Sequence, residues 1–148
     1  MTKAYKYSIL YFLSFSILLL ISGAMLFEVK IGFSVVGVRD YYLGNSDKFI
    51  AAKSADALLK ITLPHIFSFG LFIMVLLHFL IFTKERYKAK SRFLVYLTFI
   101  ATFIEISSPF LIIYGSEFFA YGKILGFIIF NSLILYSTWL LLSSIMND

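Results

Sequence analysis

The chain has 148 residues, of which 61% are hydrophobic and only 14% charged, and its formal net charge is +5. Soluble domains run nearer half apolar and a quarter charged, and a domain this small has too little interior to hide the excess. A water-soluble fold is therefore excluded, and the absence of cysteine excludes disulfides, thiolate metal sites and cysteine nucleophiles as well.

A membrane-spanning helix needs about 20 mostly apolar residues. Residues 7–27, 61–83, 93–115 and 123–145 meet that length. The first stretch is uncharged and follows Lys3 and Lys6. Its apolar run is longer than the roughly 7–15 residues of a cleaved signal, so a retained span is expected despite the small-residue run Ser22-Gly23-Ala24. Residues 28–60 form an outer segment too short for a domain. Within it, Gly44 and Asn45 mark a turn, and Ser46-Asp47 ahead of Phe49-Ile50-Ala51-Ala52-Lys53 predicts a helix start. Ser54 with Asp56 predicts the cap of a helix that runs directly into the second span. Lys60 then reaches for the interface, and Pro64 kinks the outer turns.

The connection between the second and third spans carries Lys84, Arg86, Lys88, Lys90 and Arg92 against a single acid, Glu85. Such an excess marks a cytoplasmic loop. The connection between the third and fourth spans, with Glu117 and Lys123, is near neutral. The expected fold is all-α: a polytopic four-transmembrane-helix bundle, N-in and C-in, forming one membrane domain over residues 1–148. Tyr5, Tyr7, Tyr87 and Trp139 fall at the inner boundary and Tyr41, Tyr42, Tyr114 and Tyr121 at the outer one, where amphipathic rings anchor a helix.

Polar groups in hydrocarbon are costly and mark candidate sites. They are His65 and His78 in the second span, Glu105 in the third and Asn131 in the fourth. At about 1.5 Å per residue, Glu105 falls near the midplane and Asn131 at a similar depth, which predicts a hydrogen bond between them with Ser107, Ser108 and Ser132 nearby. Pro109 frees the carbonyl of Glu105, an acceptor those hydroxyls could satisfy. With no Lys or Arg assigned to that depth, the carboxyl is expected to be neutral. Interhelical glue and proton transfer are both open to such a group.

The two histidines raise a b-type haem as a possible cofactor, because helical cytochromes place axial histidines near the two membrane faces. They lie about 20 Å apart along the axis, but 13 residues turn a helix by roughly 220°, so they point to nearly opposite sides. No second helix offers a histidine at either depth, and a homodimer or partner subunit would have to supply one. Met25, Met74 and Lys123 are the other candidate ligands, and no spacing favours any of them. Gly122 and Gly126 form a small-xxx-small pair suited to close helix packing. A phosphate-cradling loop, a zincin motif and paired carboxylates are all absent from the sequence, and the basic residues cluster at helix ends, as a membrane and not a nucleic acid requires.

The run Tyr41-Tyr42-Leu43-Gly44, followed by Ala52-Lys53-Ser54, Leu58-Leu59-Lys60, Leu63-Pro64-His65-Ile66-Phe67 and Leu77-His78-Phe79, resembles a group of small uncharacterised bacterial four-helix integral membrane proteins. The resemblance covers the outer segment and second span. It implies architecture and a bacterial inner membrane, and it carries no activity. On this reading the chain is an inner-membrane protein, most simply a non-enzymatic subunit or assembly partner of a membrane complex. The alternatives are a haem-bearing electron carrier using His65 or His78 and a proton or ion pathway through Glu105.

Overall fold

The computed structural model describes residues 2–83 and 88–147, so Tyr87 and the charges Lys84, Glu85 and Arg86 lie outside the described residues. Five α-helices follow one another: α1 (Lys3–Lys30), α2 (Val35–Leu43), α3 (Ala55–His78, continued by a 3₁₀ turn Phe79–Phe82), α4 (Ala89–Tyr114) and α5 (Phe119–Met146). Four are long and apolar enough to cross a membrane: α1, α3 with its 3₁₀ extension, α4 and α5. Their outward surfaces are studded with large apolar side chains; Phe67 is 74% exposed and Phe103 is 73% exposed. In water such surface would drive aggregation, whereas in lipid it is ordinary.

α4 and α5 form the closest antiparallel pair, joined by the short turn 115–118, with α3 packed mainly on α4 and α1 on α5. Ring contacts tie α1 to α3: Phe12 stands 5.6 Å from Phe72 and 5.2 Å from Phe79 between centroids. Lys6 Nζ donates to the Ile145 carbonyl at 3.3 Å. A cation there suits the last carbonyls of α5, and the contact brings the two chain termini to one end of the bundle, called the inner end below.

The packed interior divides in two. The larger cluster, in the middle and inner parts, includes Leu13, Ile73, Leu76, Phe130, Ile134 and Leu141. Its buried hydroxyls mostly bond back to their own helices, as Thr98 does to the Leu94 carbonyl at 2.8 Å and Ser137 to Leu133 at 2.8 Å. A smaller outer cluster joins Phe27, Val38, Tyr42, Leu58, Ile112 and Ala120.

The outer segment is built by local chemistry. Ser34 caps α2 by accepting from the Gly37 N–H at 3.0 Å, and Gly44, at φ +82°, stops it where an L side chain would be strained. Val35, Val38 and Tyr42 recur at helical spacing and turn inward. The helix expected to start at Ser46 does not form. Instead the Asn45 side chain accepts the N–H groups of Asp47 at 3.0 Å and Lys48 at 3.2 Å, and Asn45 pairs with Ile50 across a tight turn. That local bond outcompetes the helical one. Ser54 does cap α3, accepting from Ala57 at 3.2 Å, and Lys60 pairs with Asp56 one turn earlier at 2.6 Å.

Candidate functional site

Glu105 lies on α4, nine residues and so about 13 Å below its outer end at Tyr114. Lys123 lies four residues into α5. They are 6% and 7% exposed. The Lys123 ammonium donates to Glu105 Oε1 as a buried ion pair, and to the Glu105 backbone carbonyl at 3.3 Å. That carbonyl is available because Pro109, four residues on, has no N–H to offer it. Ser108 Oγ donates to the same oxygen at 2.9 Å. One proline thus creates an acceptor inside α4, and the lysine of the facing helix takes both it and the carboxylate.

Gly126 makes the approach feasible. A Cβ built there would stand 3.2 Å from Glu105 Oε2 and 3.7 Å from Ile104 Cγ2, so any larger residue would press on the carboxylate. A Cβ at Gly122, in contrast, would meet nothing within 4 Å, and the small-residue pair works through one member only. Glu105 Oε2 is buried with no hydrogen-bond partner among the described residues.

α2 roofs the outer end. Arg39 reaches Glu117 in the α4–α5 turn at 3.7 Å. Asp40, 3% exposed, accepts from Lys48 Nζ at 2.8 Å. The hydrogen bonds from Lys48 and Asn45 hold the Asp40 carboxyl below its usual range, against the opposing effect of burial. Tyr42, assigned to the outer belt by sequence, is instead 3% exposed in the outer cluster. Burial pushes its hydroxyl far above the usual tyrosine range, and Tyr41 and Glu105 add to that shift.

The expected partnership of Glu105 with Asn131 does not form. Asn131 lies eight residues deeper than Lys123 on α5, and its Nδ2 donates to the Phe127 carbonyl at 2.8 Å on its own helix. Ser132 faces outward, and of the three serines Ser108 alone bonds to Glu105. The carboxyl that sequence left without a cation has Lys123.

His65 and His78 both face out of the bundle. His65 Nδ1 donates to the Ile61 carbonyl at 2.6 Å and its ring stands on Phe69 at 5.2 Å. His78 stands on Phe82 at 5.6 Å. Met25 and Met74 are exposed too. A haem on either imidazole would sit on the outer surface of α3 and take its second ligand from another chain. The described residues contain no group of three or more His, Asp or Glu able to hold a metal ion.

Four long apolar helices around a buried ion pair define a polytopic helical membrane protein. Residues 32–148, everything beyond α1, match the family model of a transmembrane helical domain, Aq_1264_TM, and the chain belongs to that family. No curated protein and no solved structure matches it.

Proposed function

We propose that the chain is a non-enzymatic subunit or assembly partner of a larger membrane complex, seated in the bacterial inner membrane with both termini in the cytoplasm. One observation carries this reading. The buried ionisable groups are spent on the fold itself: Glu105 on Lys123, and Asp40 on Lys48. Beneath the ion pair the interior is an apolar cluster in which the hydroxyls of Thr98, Thr102 and Ser137 return to their own helices. Support for the orientation comes from the basic Lys84–Arg92 loop and from the shared end of the termini.

A second reading, proton transfer through Glu105, draws on its unpartnered Oε2. Two measurements separate them. Extracted from its native membrane in mild detergent, a subunit sediments with an assembly of fixed stoichiometry and well above its own 17.0 kDa. The purified chain in proteoliposomes then carries no proton flux. A chain that sediments alone and conducts protons in a way abolished by Glu105→Gln would reverse the order of the two readings.

A further inference from the structure

Three helices pass from one apolar cluster to the other. On α3, Leu58 belongs to the outer cluster and Phe69 packs on the inner one; on α4 the corresponding residues are Ile112 and Ala101, and on α5 Ala120 and Phe130. The buried residues between these limits include Thr62, Glu105, Ser108 and Lys123. A polar layer thus separates the two clusters.

Helical register brings Thr62 to the ion pair. The Phe69 and Phe130 rings stand 5.0 Å apart between α3 and α5, and both helices run inward from the outer end. Thr62 lies seven residues outward of Phe69, and Lys123 seven residues outward of Phe130. Seven residues make nearly two full turns, so both positions return to the α3–α5 seam about 10 Å above the rings. Gly126, which faces Glu105 Oε2, lies about 4.5 Å below that level.

Two oxygens of this layer are buried with no hydrogen-bond partner among the described residues, Thr62 Oγ1 and Glu105 Oε2. Leaving either bare costs free energy. The offset of about 4.5 Å exceeds one hydrogen bond of about 2.8 Å, and two such bonds span it. The α5 surface there is open: beyond the neighbouring stretch of α5 itself, only Glu105 Oε2 and Ile104 Cγ2 come within 4 Å of a Cβ built at Gly126. An ammonium has three N–H groups, and the bonds of Lys123 to Glu105 Oε1 and to the Glu105 carbonyl use two. The third brings the polar partners to three, the usual number for a buried water.

We propose that this layer is the binding site of one internal water molecule. The water donates to Glu105 Oε2, shares a hydrogen bond with Thr62 Oγ1 and accepts the third N–H of Lys123. It ties α3 to the α4–α5 ion pair. The site does not depend on the subunit reading and fits equally a chain that works alone.

The test is crystallography of the full chain from a lipidic mesophase, at a resolution that shows ordered water. The unaltered chain should show one density peak within hydrogen-bonding distance of both Thr62 Oγ1 and Glu105 Oε2. Thr62→Val, which keeps the shape and removes the hydroxyl, should lose the peak while the Glu105–Lys123 pair stays in place, and Thr62→Ser should retain it. A direct Thr62–Glu105 hydrogen bond in the unaltered chain, or no peak between them, would overturn the proposal even if Thr62→Val failed to fold. So would a peak that persists in Thr62→Val.

Discussion

The outer and inner halves of this bundle are held by different forces. In the outer half, Glu105 bonds Lys123, Asp40 bonds Lys48, Arg39 faces Glu117, and Gly126 lets a carboxylate lie against a facing helix. In the inner half, Ile73, Leu76, Ile134 and Leu141 belong to one apolar cluster, and the hydroxyls of Thr98 and Ser137 return to carbonyls of their own helices. Lipid is as apolar as leucine, so the inner half gains packing but little transfer free energy from association. Directional bonds specify which helices meet, and they are concentrated in the outer half.

The largest expected effect tests that contrast directly. Lys123→Met leaves a carboxylate buried without its cation and should cost about 3–5 kcal/mol, read by reversible unfolding in mixed micelles. Glu105→Gln/Lys123→Met should recover most of that loss, because replacing both members of a buried pair is close to neutral. Two losses that simply add would break the comparison. Ile134→Ala in the fully buried inner cluster should cost less, about 2 kcal/mol, at the low end of the soluble-core range. A larger loss there would mean that apolar packing specifies the bundle after all. Gly126→Ala should cost about 1–2 kcal/mol by overpacking, with Gly122→Ala, which meets open space, near neutral as its control.

A smaller effect depends on pH. The Asp40 carboxyl is held below its usual range by Lys48 and Asn45. Its contribution is therefore complete above the unfolded value near 3.9 and disappears as pH falls through the lowered folded value. Acid should lower the protection of the Ile50 amide, which donates to the Asn45 carbonyl at 2.9 Å, relative to its intrinsic exchange rate, and Asp40→Asn should remove that acid step. Arg39→Ala should have the least effect, under about 1 kcal/mol, since its contact with Glu117 is long and both side chains are exposed.

Much of this was legible in the sequence. Uncharged runs of about 20 residues announce the helices, and Pro109 announces a carbonyl in need of a donor. The donor itself was hidden. In the sequence Lys123 is a charge at the start of a span, where a long side chain is expected to reach outward; in the fold it reaches inward across the α4–α5 turn to a residue 18 positions earlier. Depth counted from backbone positions ignores the length of a lysine. The signal was nonetheless present, since Lys123 is the sole cation on α5, beside the sole acid on α4. Helix α2 was also within reach of reading: Ser34 as cap, Gly44 as stop, and Val35, Val38 and Tyr42 at helical spacing between them. The pull of Ser46-Asp47 concealed it, because Asn45 offers its own side chain to the same amides.

Helix α1 packs mainly on α5, burying Ile9 and Leu13, and adds ring contacts to α3 and the Lys6 bond; the family match begins after it, at residue 32. The matched unit therefore opens with α2, which in the proposed orientation lies on the far side of the membrane from the ribosome. Something must carry its first residues across during synthesis. In that orientation α1, with Lys3 and Lys6 ahead of an uncharged core, is a helix suited to a start-transfer role for the matched unit behind it.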